Sequence, residues 1–159
     1  MITWGISANS HDAALAVFTD EGLEFASHSE RFSGIKNDPD LNKELIDYAK
    51  MWGQPDELIW YERPLVKTLR QFRAGQGIRL QENNIRNYLR PYGLHAPIKY
   101  TSHHLSHAAA GYYTSPFNQA TVVCIDSIGE FDTLTIWEGK DNKIKKVFSQ
   151  GYPHSIGLW

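Results

Sequence analysis

ITWGISANSHDAALAVFTDEGLEFASH, residues 2–28, reads as three short strands joined by tight turns. Ile2 to Ser7, Ala13 to Phe18 and Leu23 to His28 are rich in β-branched, aromatic and small apolar residues, and turn-forming residues separate them. Asp20-Glu21-Gly22 is a hairpin turn. Asn9-Ser10-His11-Asp12 is the tight polar turn between the first two strands. A turn of this kind can present backbone N–H groups to an anion, and His11 would then face it. Local sequence alone is better described as a plain turn with a solvated histidine and a capping aspartate.

The pattern returns further along the chain. From Thr121 the order strand, polar turn, strand, Gly turn, strand occurs again, shifted by 120 residues. Asp12-Ala13-Ala14-Leu15-Ala16-Val17 aligns with Asp132-Thr133-Leu134-Thr135-Ile136-Trp137, and Gly22 corresponds loosely to Gly139. The match is one of pattern, with little identity. Two hairpin-led lobes with helices resemble the duplicated ribonuclease-H-like α/β fold of actin and the sugar kinases. Those proteins hold a nucleotide between their lobes, with the first hairpin of each lobe near the phosphates. On this reading residues 1–117 form a complete first lobe and residues 118–159 the three-stranded start of a second. The chain is then expected to be one part of a larger protein and, with most of the second lobe outside it, to have no useful catalytic activity by itself. Apolar strand faces around Val122, Cys124, Ile136 and Val147 are expected to stand exposed.

Between the two hairpin units the chain alternates. Ser29 to Lys36 reads as a loop with mixed charges. Leu41, Leu45, Tyr48, Ala49 and Trp52 recur at helical spacing, so a helix is expected from Asp38-Pro39-Asp40 through Trp52, stopped by Gly53. Glu57 to Tyr61 is a fourth strand, and Ile98-Lys99-Tyr100 another. Arg63 to Arg90 is predicted helical with a break at Gly75-Gln76-Gly77. It carries seven basic residues against Glu82 alone, a net +6, while the whole chain is −2. Such a stretch can meet an anionic partner, but more often it is a solvated face.

At 159 residues, 42% apolar and 21% charged, the chain has the length and composition of a globular domain with a core. Its small negative charge predicts no general attraction to nucleic acid or membrane. No run is apolar for long enough to span a bilayer, and no signal-peptide pattern opens the chain. The single Cys124 lies inside an apolar strand and fits a reducing, cytoplasmic location.

His103-His104-Leu105-Ser106-His107 is the stretch that carries chemistry. On a helix His103 and His107 stand one turn apart on one face, which is half a site for a divalent metal. Ser102 is a candidate N-cap, and Ala108-Ala109-Ala110 continue the helix without bulk. Thr121 to Ile125 is a β-branched run that ends at Asp126. If this strand and Ile98–Tyr100 are parallel neighbours, the helix start and Asp126 share the carboxyl edge of one sheet, where open α/β sheets place their sites. His103, His107 and Asp126 are then expected to converge to within about 5 Å, with His104 turned away. The alternative is a set of histidines that cap, pack or sit in water.

Several words make a family resemblance specific: His11-Asp12-Ala13-Ala14, Ser29-Glu30-Arg31-Phe32, His103 to Ala109, Asp126-Ser127-Ile128-Gly129-Glu130 and Pro153-His154-Ser155-Ile156-Gly157. In this order and spacing they resemble the amino-terminal part of the O-carbamoyltransferases that modify antibiotics and nodulation factors, relatives of the tRNA threonylcarbamoyl transferases. The resemblance implies that a separate domain joins carbamoyl phosphate and ATP into carbamoyladenylate. The duplicated domain then transfers the carbamoyl group to an acceptor hydroxyl. It also implies a divalent metal, commonly iron(II), with zinc and manganese as alternatives, on His103, His107 and Asp126. His11 matches a histidine near the acceptor hydroxyl, in the position of a base, and Lys36 a lysine of the substrate pocket. Asp12, Ser127, Gly129 and Glu130 fall where the family approaches substrate or nucleotide. Ser127 replaces a usual glycine, which would crowd the phosphate approach. Gly34 replaces a usual basic residue, which would alter acceptor choice.

Two other classes fit the same words. One is a module that holds metal or nucleotide without turnover. The other is a nucleic-acid-modifying carbamoyltransferase subunit whose Arg-rich helices 63–90 hold a polymer.

Overall fold

The structure, a computed structural model, describes residues 1–159. It is mixed α/β. In chain order the elements are β1 (Thr3–Ser7), β2 (Ala14–Thr19), β3 (Gly22–His28), α1 (Glu30–Ser33), α2 (Lys43–Ala49), β4 (Glu57–Trp60), α3 (Pro64–Arg73), α4 (Ile85–Leu89), β5 (Ile98–Tyr100), α5 (His103–Tyr113), β6 (Gln119–Gly129), β7 (Asp132–Lys140) and β8 (Lys143–Gly151). They divide into two compact units, Met1–Tyr61 with Asn84–Tyr100, and Glu62–Asn83 with Thr101–Trp159. No helix is long and apolar enough to cross a membrane.

The first unit is built on a five-stranded sheet in the order β3-β2-β1-β4-β5. β1 pairs antiparallel with β2 and parallel with β4, and β4 pairs parallel with β5. Trp4 and Ile6 of β1, Leu15 and Val17 of β2, and Leu58 and Trp60 of β4 alternate inward at period two. Leu45, Ile46 and Ala49 of α2 and Ile85 and Leu89 of α4 close the same core. The helix expected from Asp38 begins later. Asp38 is buried, and its Oδ1 accepts from the Asp40 backbone N–H at 3.1 Å, a local turn that competes with helix. Asn42 supplies the cap instead, its Oδ1 accepting from the Leu45 N–H at 2.8 Å. The stretch from Arg63 to Arg90 also differs from the expectation. α3 ends before Gly75 and Gly77, both at positive φ (75° and 78°), and helix resumes only where Asn84 caps α4.

The second unit holds an antiparallel sheet in the order β6-β7-β8, with α5 against one face. Ala108 of α5 packs on Cys124 of β6 and Trp137 of β7, with Leu105, Val122 and Ile144 around them. Gly139 faces the Tyr112 ring so closely that a Cβ there would lie 2.5 Å from it. β5 and β6 are therefore not parallel neighbours but members of different sheets. Helix α5 reaches Asp126 by lying across β6 rather than by starting at a shared sheet edge. The expected exposure also falls on other residues. Cys124 is buried under α5 and Val122 packs beside it, while Val147 is open. Val123 and Ile125 are exposed instead on β6, because alternation along the strand turns that face outward, Ile136 is half-buried, and Phe148 is exposed beside Val147.

Candidate metal centre

Helix α5 starts with Ser102 in the N-cap position, in extended backbone. Its hydroxyl makes no capping bond, contrary to expectation. Its carbonyl instead accepts from the Ser106 backbone N–H at 3.0 Å and the Ser106 hydroxyl at 3.4 Å. His103 and His107 follow on one face, with ring centroids 4.8 Å apart. β6 loses regular pairing with β7 between Ile125 and Gly129, and Asp126 sits in that irregularity. Its Oδ1 accepts from the Ser127 backbone N–H at 2.6 Å. Its Oδ2 lies 2.8 Å from His103 Nε2 and 3.9 Å from His107 Nε2, and the two Nε2 atoms are 3.1 Å apart.

Those three distances test the fit to a metal. Ligands about 2.1 Å from a tetrahedral ion are about 3.4 Å from one another, and the observed triangle brackets that value. One His103 Nε2–H shared between Asp126 and His107 can hold the three atoms together without metal, and with both imidazoles carrying their proton on Nδ1 the three atoms present lone pairs to a common point. A divalent cation would satisfy them together. The side chain of His107 is 57% exposed, which leaves room for exchangeable ligands on that side.

The electrostatics suit the same role. The His103 hydrogen bond holds the Asp126 carboxyl down at about 2, against an ordinary 3.8. Desolvation and the adjacent His103 ring push His107 below its usual 6.5, despite its open side. Burial does the same to His104. His107 is therefore neutral at neutral pH, the state a metal needs. Asp126 also has a consequence for the metal-free protein. Its folded pKa is depressed, so its stabilisation is complete above about pH 4 and is lost as pH falls toward 2. The expected loss is about 2 kcal/mol. Urea titrations at pH 5 and pH 2.5 should show it, and an Asp126→Asn variant should lack that part of the pH dependence.

Two residues outside the triangle hold Asp126 in place. The Ser155 hydroxyl lies 3.2 Å from the Asp126 carbonyl and 2.8 Å from the Ser127 carbonyl. Gly157 presses on the same peptide, where a Cβ would stand 2.4 Å from the Asp126 carbonyl carbon. This support by the 153–157 word was not readable from its residue types. We expect Gly157→Ala to weaken metal binding by roughly tenfold, the scale of lost ligand support, as read by competition with a chromophoric chelator.

The other sequence-predicted residues are distributed as follows. His11 lies in the turn after β1 with its side chain 76% exposed, and its Nδ1 is 2.8 Å from Asp12 Oδ2. Asn9 and Asp12 both take positive φ (63° and 51°) to make that turn. Lys36 is 86% exposed, 3.9 Å from Glu30 Oε2. All four belong to the first unit, whereas the metal triangle belongs to the second. Ser127 abuts Asp126. Gly129 and Glu130 have packing reasons of their own. A Cβ at Gly129 would lie 2.4 Å from the His103 ring. Glu130 is buried, and its carboxylate accepts from the Arg63 backbone N–H at 2.8 Å and from the Arg63 guanidinium. Lys67 is likewise engaged by buried Glu62, at 2.6 Å.

Comparison with known proteins now adds the class. Residues 61–159, more than half of the chain, match the family described as carbamoyltransferase N-terminus, and the chain belongs to that family. An uncharacterized protein, sll1178, of Synechocystis sp. (strain ATCC 27184 / PCC 6803 / Kazusa) is 31% identical over 186 residues. That alignment takes in 97% of this chain and 30% of the relative, so the chain spans under a third of it. Among solved structures, the PPX-GPPA enzyme of Aquifex aeolicus is similar with a TM-score of 0.47 and 14% identity, over 94% of this chain and 52% of that one. The type II variant of the Ppx/GppA phosphatase from the same organism gives 0.45 and 17%, over 95% and 52%.

Proposed function

We propose that the protein to which this chain belongs transfers a carbamoyl group from carbamoyladenylate to an acceptor hydroxyl, in the manner of the antibiotic and nodulation-factor enzymes. The supporting observation is the His103, His107 and Asp126 triangle, which lies inside the segment matched by the carbamoyltransferase family. The hydroxyl oxygen forms a bond to the carbamoyl carbon. The bond from that carbon to the adenylate phosphate oxygen breaks, AMP leaves with the electron pair, and the hydroxyl proton goes to a base. His11 suits the base. If its Nδ1–H donates to Asp12, the Nε2 lone pair is free and the ring is held in orientation. Lys36 offers an exposed ammonium to phosphate charge. Glu130, committed to Arg63, serves by holding the loop that brings Ser127 toward the nucleotide. The triangle would hold iron(II), or zinc or manganese, which supplies Lewis-acid polarisation of a carbamoyl or phosphoryl oxygen.

The order of the first sheet supports the ribonuclease-H-like reading, with an antiparallel β1-β2-β3 and two further strands parallel to β1. In that reading residues 1–117 are one lobe and β6-β7-β8 open the next. The nucleic-acid alternative has no comparable support, since Arg63 and Lys67 are engaged by Glu130 and Glu62. The test supplies the rest of the second lobe and the adenylating domain of a carbamoyltransferase, so that carbamoyladenylate is made in place, with ferrous iron and a panel of hydroxyl acceptors. AMP release and carbamoylated product that disappear in His107→Ala support transfer. Metal binding without either product would leave the non-catalytic module as the better reading.

A further inference from the structure

The middle histidine of the word is used by neither the metal reading nor the family comparison, yet it is the most buried of the three. His104 is 2% exposed, and its Nδ1 lies 2.8 Å from Thr135 Oγ1 in β7. Thr135 is itself fully buried, and the same oxygen accepts from Trp137 Nε1–H at 2.7 Å. A hydroxyl has one proton and two lone pairs. Trp137 can only donate, so it occupies one lone pair, and either tautomer of His104 completes a second bond. The result is a chain of hydrogen bonds from helix α5 into the middle strand of the sheet.

We propose that His104 is a positioning residue, tying α5 to β7 through Thr135 and so fixing the direction in which His103 and His107 present Nε2 to Asp126. The proposal rests on the metal reading above. His104 is the residue after one ligand and three before the other, so the tie sits within the turn that carries both. An α-helix with its side chains has a radius of about 5 Å, so a roll of about 20° moves a side-chain tip by about 2 Å. That is as large as a metal–ligand bond. An apolar contact at position 104 would resist such a roll only weakly, because dispersion is non-directional. A buried hydrogen bond has a direction, and breaking it strands polar groups. The fit is close, since a Cβ at Gly129 would stand 2.7 Å from the His104 ring.

The test uses cobalt(II), whose visible absorption reports the geometry of its ligands. His104→Leu fills the space without the bond, and His104→Asn restores a polar atom near the Nδ1 position. Thr135→Val and Thr135→Ser make the corresponding pair on β7. Metal-free thermal stability of each variant reads the purely structural cost. The expected result is one cobalt equivalent in every variant. His104→Leu and Thr135→Val should bind about tenfold to a hundredfold more weakly, with an altered visible band. His104→Asn and Thr135→Ser should recover most of both. Wild-type affinity and spectrum in His104→Leu and Thr135→Val would overturn the anchoring role. If the wild type itself took up no cobalt, the metal reading would fail and this inference with it. Should His104→Leu not fold, the Thr135 pair decides, because valine keeps the shape of threonine without its hydroxyl, while serine keeps the hydroxyl and loses only the methyl.

Discussion

Alanine at His103 or at His107 abolishes stoichiometric uptake of iron(II) or zinc, while alanine at His104 leaves the stoichiometry intact. The triangle has only three protein donors within 4.8 Å of one another, so losing either imidazole leaves one nitrogen and one carboxylate. Two donors do not compete with water and buffer for a divalent ion at a solvent-open site. His104 contributes no donor, because its ring points into the sheet at Thr135. Its replacement weakens binding without removing a ligand. Metal analysis after gel filtration, with affinity by competition, separates these outcomes. Equal loss from all three replacements would argue against the assignment of ligands. The pH dependence has a definite sign. His107 binds its proton below the ordinary 6.5, and a metal requires the proton gone. Affinity should therefore fall as the solution is acidified, with the part of that fall owed to His107 lying below its ordinary titration range.

Valine at Gly129 lowers the stability of the metal-free protein by about 2 to 3 kcal/mol, the scale of overpacking a closed contact, and also removes tight metal binding. A Cβ there meets His103 Cδ2 at 2.4 Å, His104 Cδ2 at 2.7 Å and His103 Cγ at 2.9 Å. The atoms in the way are rings, one tied to Asp126 and the other to Thr135, so neither swings aside cheaply. The helix has to back off the strand, and the two ligands go with it. The melting temperature should drop by roughly 5 to 10 °C. Gly5→Ala is the control, since nothing lies within 4 Å of a Cβ at Gly5. If Gly129→Val bound cobalt with wild-type affinity, the close approach of α5 to β6 would not be what sets the site.

Much of this was open to a reader of the sequence. Strand alternation is a local signal, so β1, β2, β3 and the start of β6 could be read to within a residue or two from apolar periodicity and turn residues alone. The i, i+4 spacing of His103 and His107 is a property of any helix, so their shared face needed no partner to predict it. The family words point to the class for the same reason, being stretches of chain. The helix boundary at Asn42 was harder, because Asp38 and Asn42 are equally good caps on paper. Burial of Asp38 and its turn to Asp40 made the choice.

Tertiary structure decided what depends on distant residues meeting. Whether β6 continues the first sheet or starts a second is a question of strand pairing across the chain, and local pattern does not contain it. Gly129, which the resemblance places in the loop that approaches the nucleotide, also leaves the room in which two histidine rings lie. The hold of Glu130 on Arg63, 67 residues earlier, is likewise a meeting that local sequence does not contain. His104 is the clearest case. Three histidines in five residues have the same chemistry on paper. The helix turns one of them by about a hundred degrees, and only the sheet beneath it shows that Thr135 and Trp137 are waiting there.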